Sequence, residues 1–171
     1  MSSIKILIND ITQLDVDCIV NAANEGLWAG GGVCGAIFRQ AGYDALTKAC
    51  QKIGHCDTGK AVITPGFDLK AKYIIHAVGP IWSGGMHDEP RLLRSCYQEA
   101  LKLVQENACH SIAFPLISSG VYGYPKELAW KEAIDACKEY IKDNEYDIDI
   151  IFAVLIPHIK ELGESLLSEK E

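Results

Sequence analysis

The chain has no C-x-x-C pair, although it carries seven cysteines, Cys18, Cys34, Cys50, Cys56, Cys96, Cys109 and Cys137. That spacing would be needed for a zinc ribbon or a dithiol redox site, so neither is expected, and no metal is assigned. An odd, scattered set is expected to remain reduced and packed, as in an intracellular protein. No signal-peptide pattern opens the sequence, and no apolar run approaches the ~20 residues of a membrane span. A soluble, cytoplasmic, monomeric protein is therefore expected, with no membrane partner. Basic excess is also missing: 16 Lys and Arg stand against 23 Asp and Glu, a net charge of −7. General nucleic-acid or acidic-membrane binding is disfavoured, because few cations are left over to neutralise phosphates. One small anion remains admissible, since main-chain N–H groups hold a diphosphate without lysine. Linkers, internal repeats and low-complexity tracts are absent as well, which predicts one domain over residues 1–171.

What is present is an ordinary globular composition, 49% apolar and 23% charged, in a chain of 171 residues that can bury a substantial core. β-prone runs occur at Ile4–Ile8, Cys18–Ala22, Ala61–Thr64, Tyr73–Val78, Ile112–Phe114 and Ile148–Leu155. Helical periodicity follows the first glycine loop, continues over Tyr43–Ile53, and resumes from Pro90 with Leu92, Cys96, Ala100 and Val104 in one stripe. A further helix is predicted over Lys126–Asp143, with Leu128, Ala133, Ile134, Cys137 and Ile141 facing inward. Pro157 starts the last helix, which runs through Leu166 and Leu167. Strands apolar on both faces, alternating with helices, indicate an α/β sheet covered on both sides. The first two strands precede any helix, and so do the third and fourth, so the sheet is expected to be mixed.

Two loops carry the chemistry. After Cys18-Ile19-Val20 come Asn21 and Asn24, then Gly30-Gly31-Gly32 and a helix start. Glycines let N–H groups approach a ligand, and a helix N-terminus adds unpaired donors and partial positive charge. The strand-end asparagines are placed to grip a sugar. No Gly-Lys-Ser or Gly-Lys-Thr follows and the dinucleotide fingerprint is missing, so a plain strand-to-helix connection explains this loop about as well. The second loop, Leu116 to Pro125, adds the hydroxyls of Ser118 and Ser119, the freedom of Gly120 and Gly123, and the ring of Tyr122. Two such loops in one domain suggest a diphosphate held from both sides.

The blocks IVNAAN, GGGV-x-GAI, IIHAVGP and ISSGVYGYP, with Asn9-Asp10-Ile11-Thr12 ahead of them, resemble the macrodomains. The similarity is greatest to the MacroD-type branch of ADP-ribose hydrolases and O-acetyl-ADP-ribose deacetylases, and it extends from Ile4 to Leu167. It implies a three-layer α/β/α fold with a central mixed sheet of about six strands, no cofactor, and ADP-ribose, ADP-ribosylated protein or O-acetyl-ADP-ribose as partner. Carried over from the resemblance, Asp10 accepts from the adenine amine and Ile11 lines the same pocket. Asn24 holds the distal ribose hydroxyls and is the residue implied in catalysis. Gly31, Gly32 and Val33 form the first phosphate-and-ribose loop; Ser118, Ser119, Gly120, Val121 and Tyr122 form the second.

The family pattern is broken at three places: Cys34 stands where it has the aspartate credited with activating water, Phe38 where it has histidine, and Asn9 where it has glycine. Viral macrodomains that remove mono-ADP-ribose also lack the aspartate. Two mechanisms stay open for the ester at the distal ribose. In one, a water beside a substrate phosphate oxygen attacks, helped by positioning and electrostatics. In the other, Cys34 is a nucleophile at a helix N-terminus, against the plainer expectation of a small packed residue. A non-catalytic ADP-ribose reader is the competing class, and an RNA-directed role is the weakest. His76 is expected to be a hydrogen-bonded core histidine, and His55 and Cys56 a solvent-facing loop. Trp28 is placed to cover the distal ribose, Trp82 to pack locally, and Tyr122 to meet the ligand.

Overall fold

A computed structural model describes residues 1–169. Six strands form one sheet: β1 (Ser3–Ile8), β2 (Cys18–Ala22), β3 (Ala61–Pro65), β4 (Tyr73–Ala77), β5 (Ser111–Phe114) and β6 (Asp149–Val154). Five helices accompany them: α1 (Gly32–Ala41), α2 (Tyr43–Ile53), α3 (Glu89–Glu106), α4 (Lys126–Asp143) and α5 (Pro157–Leu167). The spatial order is β1-β6-β5-β2-β4-β3, parallel throughout except for the antiparallel β3–β4 pair. The mixed sheet expected from the sequence is present, but for half of the stated reason. β1 and β2 do not pair; a single 3₁₀ turn, Ile11–Gln13, lies on the crossover between them.

Strand position follows side-chain chemistry. β2, β4 and β5 carry apolar residues on both faces and sit in the middle of the sheet, while β1 and β3, only partly buried, form its edges. Because successive side chains point to opposite faces, each central strand feeds two cores. Cys18, Val20, Ile75, Ile112, Phe114, Ile150 and Phe152 pack with α3, α4 and α5 on one side. Ile19, Ile74, Ala113 and Ala153 pack with α1, α2 and the 3₁₀ turn on the other. Three layers result. One predicted orientation is corrected: Leu128 is 45% exposed, whereas Ala129 and Trp130 are fully buried. The α4 stripe is thus Ala129, Trp130, Ala133, Ile134 and Cys137, which places Leu128 about 100° away from Ala129 around the helix. No helix among the described residues is long and apolar enough to cross a membrane.

The sheet order decides where the two glycine loops meet. β5 and β2 are parallel neighbours, in register at Cys18↔Ile112 and Ile19↔Ala113, so the loops leaving them emerge side by side. β1 ends at the same edge of the sheet, three inter-strand steps from β2, a span of about 14 Å at ~4.8 Å per step.

Candidate functional site

The first loop is held open by its own side chains. The Asn24 amide grips the Trp28 backbone at both ends, donating from Nδ2 to the carbonyl at 3.0 Å and accepting the N–H on Oδ1 at 3.1 Å. That leaves one N–H and one lone pair of Asn24 for a ligand. Cys34 lies on the first turn of α1, and its sulfur accepts the Gly30 N–H at 3.3 Å. Gly31 caps α1 with no side-chain bond, and Gly32 adopts φ +56°. The N–H groups of Gly31, Gly32 and Val33 find no acceptor among the described residues. A methyl built on Gly31 or Gly32 meets nothing within 4 Å, so this face is open. Gly35 is different: a Cβ there would lie 2.7 Å from the Gly30 carbonyl oxygen, and its absence lets α1 seat against the loop.

The second loop repeats the arrangement. The N–H groups of Gly120, Val121 and Tyr122 have no acceptor among the described residues, while Gly123 and Tyr124 fold the loop back by donating to Gly120 and Ser118. A Cβ on Gly120 would also meet open space. Val121 is fully exposed and Tyr122 partly so. The two serines divide the work. Ser119 Oγ donates to the Leu116 carbonyl at 2.7 Å, so that hydroxyl is consumed within the loop. Ser118 takes φ +67° and is 6% exposed, with no partner for its Oγ among the described residues. Gly79 lets it fit, because a Cβ there would come 2.2 Å from that oxygen.

Asp10 sits beyond β1 at the same edge of the sheet. Its Oδ1 accepts from the Thr12 N–H at 2.9 Å and the Thr12 hydroxyl at 2.7 Å, capping the 3₁₀ turn. The residue is exposed, and Oδ2 has no partner among the described residues. Ile11 is buried in the α1-side core. Along one rim, then, lie a carboxylate, two sets of three free N–H groups on adjacent loops, and a half-free amide.

A family model described as "Macro domain" matches residues 20–133 of this chain. The chain belongs to the macro domain family. A macro domain-containing protein of Chlorobaculum tepidum is 52% identical over 143 residues, covering 84% of this chain and 83% of that protein. The human ADP-ribose glycohydrolase MACROD2 is 51% identical over 151 residues, covering 86% of this chain but 35% of that longer protein. Among solved structures, the Oceanobacillus iheyensis macrodomain with ADP gives a TM-score of 0.90 at 38% identity, covering 95% of this chain and 88% of that one. The Trypanosoma brucei macrodomain in complex with ADP-ribose gives 0.88 at 34%, covering 96% and 69%.

Several side chains of this macrodomain sit elsewhere than expected. Asn21 is not at the loop: it is 1% exposed, and its Nδ2 lies 3.0 Å from His76 Nδ1. With the amide donating, the ring proton is on Nε2, which faces Thr64 Oγ1 at 3.0 Å. His76 is the core histidine anticipated, and burial pushes its pKa down to about 4. Cys56 is not solvent-facing but 4% exposed, and burial, with Asp57 and Glu25 nearby, pushes its thiol up to about 11. His55 does face solvent and lies 2.8 Å from Asp57 Oδ1. The fold adds Glu25 to that pair, which sequence spacing did not reveal. Cys34 is 6% exposed, and its sulfur contacts are the Gly30 N–H and, at 3.8 Å, the Trp28 carbonyl. It acts as a latch for the loop. Phe38 is buried beside it in the α1-side core.

Glu89 opens α3. It is 1% exposed, and its carboxylate accepts from the N–H groups of Ser83 at 2.7 Å, Gly85 at 3.0 Å and His87 at 2.6 Å. Burial alone would raise its pKa, but these donors and its own N–H hold it down to about 2. The loop so gathered carries Trp82, whose ring packs tilted against Tyr124 with centroids 4.7 Å apart and whose main-chain N–H donates to the Tyr122 carbonyl at 2.8 Å. Glu89 therefore braces the second glycine loop from behind. The signal was available in Ser83-Gly84-Gly85, a glycine turn shortly before an acid.

Proposed function

We propose that this macrodomain binds ADP-ribose and hydrolyses an ester at its distal ribose, either to a protein Asp or Glu side chain or to acetate. The observation that carries this reading is the pair of glycine loops on adjacent parallel strands, each with three N–H groups lacking an acceptor among the described residues. Six donors on one rim suit a diphosphate, which needs no lysine. Asp10 lies about three strands away, a distance suited to an adenosine extending from that diphosphate, with Oδ2 available to the adenine amine. Asn24, next to the first loop, meets the ribose at the other end.

Water adds across the ester: its oxygen forms the new C–O bond, the old C–O bond breaks, and its proton passes to the departing oxygen. The products are ADP-ribose and a carboxylic acid. Cys34 brings no carboxylate to this point, and its sulfur is committed to Gly30. The base in this reading is a substrate phosphate oxygen. The contribution of the protein is to hold sugar, diphosphate and water in line. The same commitment of Cys34 favours a second reading, a module that binds ADP-ribose without cleaving it.

Incubation with glutamate-linked mono-ADP-ribosylated protein and with O-acetyl-ADP-ribose separates the two, beside an Asn24→Ala control. Release of ADP-ribose by the wild type and its loss in the variant is the expected result. Tight binding with no product from either substrate leaves the reader.

A further inference from the structure

We propose that Trp28, Glu25 and Asp57 form a docking corner for a lysine- or arginine-bearing stretch of the ADP-ribosylated protein, beside the modified residue. The proposal rests on the reading that an ester at the distal ribose is the substrate, since that places the attached protein next to Asn24. Trp28 is 65% exposed. The six-membered part of its ring closes on Gly26, where a Cβ would fall 1.9 Å from Cζ3 and 2.1 Å from Cε3. The ring is thereby seated against the loop at one side, while most of the residue stays exposed. Both main-chain groups of Trp28 are held by the Asn24 amide, so this platform is built onto the ribose-facing residue itself.

The surrounding charge selects the partner. Glu25 adjoins the covered Gly26, and its Oε2 is oriented by the N–H and hydroxyl of Thr58 at 3.1 and 3.0 Å. Its main-chain carbonyl takes the Cys56 N–H at 2.9 Å, which fixes the loop bearing Asp57 alongside. The exposed Glu25 and Asp57 carboxylates and the His55 imidazole lie within 4.8 Å of one another, with Asp57 hydrogen-bonded to the ring. An exposed indole on the same loop as a net negative pair attracts a cation, above all the planar guanidinium of arginine. An apolar partner would leave the carboxylates uncompensated, and an acidic one would be repelled.

The test uses two synthetic peptides carrying glutamate-linked ADP-ribose, one flanked by Arg and Lys, the other by Asp and Glu. The wild type is expected to favour the basic peptide in kcat/KM by about five- to tenfold, through KM. Trp28→Ala, and Glu25→Gln with Asp57→Asn, bring the ratio below about twofold. Asp57→Lys inverts it, whereas Glu161→Lys on α5 makes the same change in net charge and leaves it in place. Affinity for free ADP-ribose stays within about twofold in the Glu25 and Asp57 variants. Equal use of both peptides by the wild type overturns the proposal, as does an equal effect of Glu161→Lys. So does a preference that needs added zinc and vanishes with a chelator, which would assign Glu25, His55 and Asp57 to a metal. If free ADP-ribose binds and neither peptide is cleaved, hydrolysis fails while the same ratios, read as Kd of the intact peptides, still decide the docking corner.

Discussion

Gly31→Ala and Gly120→Ala separate the cost to the fold from the cost to the ligand. Gly31 has φ −88°, and Gly120 is not among the glycines with positive φ. A Cβ at either meets nothing within 4 Å. Alanine fits both backbones, and the smaller freedom of the unfolded chain should stabilise each variant by about 0.4–1 kcal/mol. The same methyl stands on a face of free N–H donors, where a phosphate oxygen must approach to ~2.9 Å. Displacing one charge-assisted hydrogen bond costs about 1.5–3 kcal/mol, a loss of roughly 10- to 150-fold in affinity. Gly35→Ala is the counterpart, with its Cβ 2.7 Å from a main-chain oxygen; overpacking there should cost the fold about 1–3 kcal/mol. Urea unfolding and calorimetric titration with ADP-ribose measure the two quantities on the same samples. If Gly31→Ala and Gly120→Ala both bind within twofold of the wild type, the diphosphate does not lie across the two loops, and the assignment of the site fails.

Other consequences are as direct. His76, lowered to about 4 by burial, is neutral when folded but protonates near 6.5 when unfolded. Its contribution to stability is complete above pH 6.5 and is lost as pH falls through 4, about 3 kcal/mol in all; its imidazole C2–H resonance should not titrate between pH 8 and 5. Glu89, held down to about 2, stabilises fully above pH 4.5 and ceases to do so as pH falls through 2. Glu89→Gln should weaken ADP-ribose binding and raise hydrogen exchange across residues 82–88 and 118–124, with α5 unaffected. Cys34→Ala should retain turnover within about threefold, because the thiol holds Gly30 and attacks nothing; a loss beyond a hundredfold, with ADP-ribose binding intact, would restore it as the nucleophile.

Much of this architecture was legible because the sheet is layered. Strands apolar on both faces announced a sheet covered on both sides, and the glycine loops after Val20 and Ile117 do leave one edge of it together. Contacts closed over long sequence separations did not show. Asn21 looks like Asn24 in sequence, both polar near a strand end, yet three residues of separation put one against His76 across a strand pair and leave the other at the loop. Cys56 neighbours the solvent-facing His55 and is nonetheless buried. Leu128 turns outward because the helical phase is set by Trp130, whose indole nitrogen donates to the Ile159 carbonyl at 3.0 Å and ties α4 to α5. Glu89 escaped for a related reason: its partners are main-chain groups, which carry no residue identity.

The replacement of a carboxylate by Cys34 has a structural logic that bears on catalysis. At this place a side chain has two neighbours to satisfy, the Gly30 N–H and the Trp28 carbonyl. A carboxylate accepts the first but faces the second with like polarity, whereas a thiol accepts from one and donates to the other. Cysteine therefore satisfies both loop groups without placing a like charge beside an arriving diphosphate. What is given up is a base close to the ribose. An activated ester tolerates that exchange better than a stable glycosidic bond does, so the proposed hydrolysis is expected to act on an O-linked ester rather than on an N-glycosidic bond. The rate on an O-linked glutamate conjugate, set against that on an N-linked arginine conjugate, measures it: a ratio near one would show that Cys34 does not select the bond.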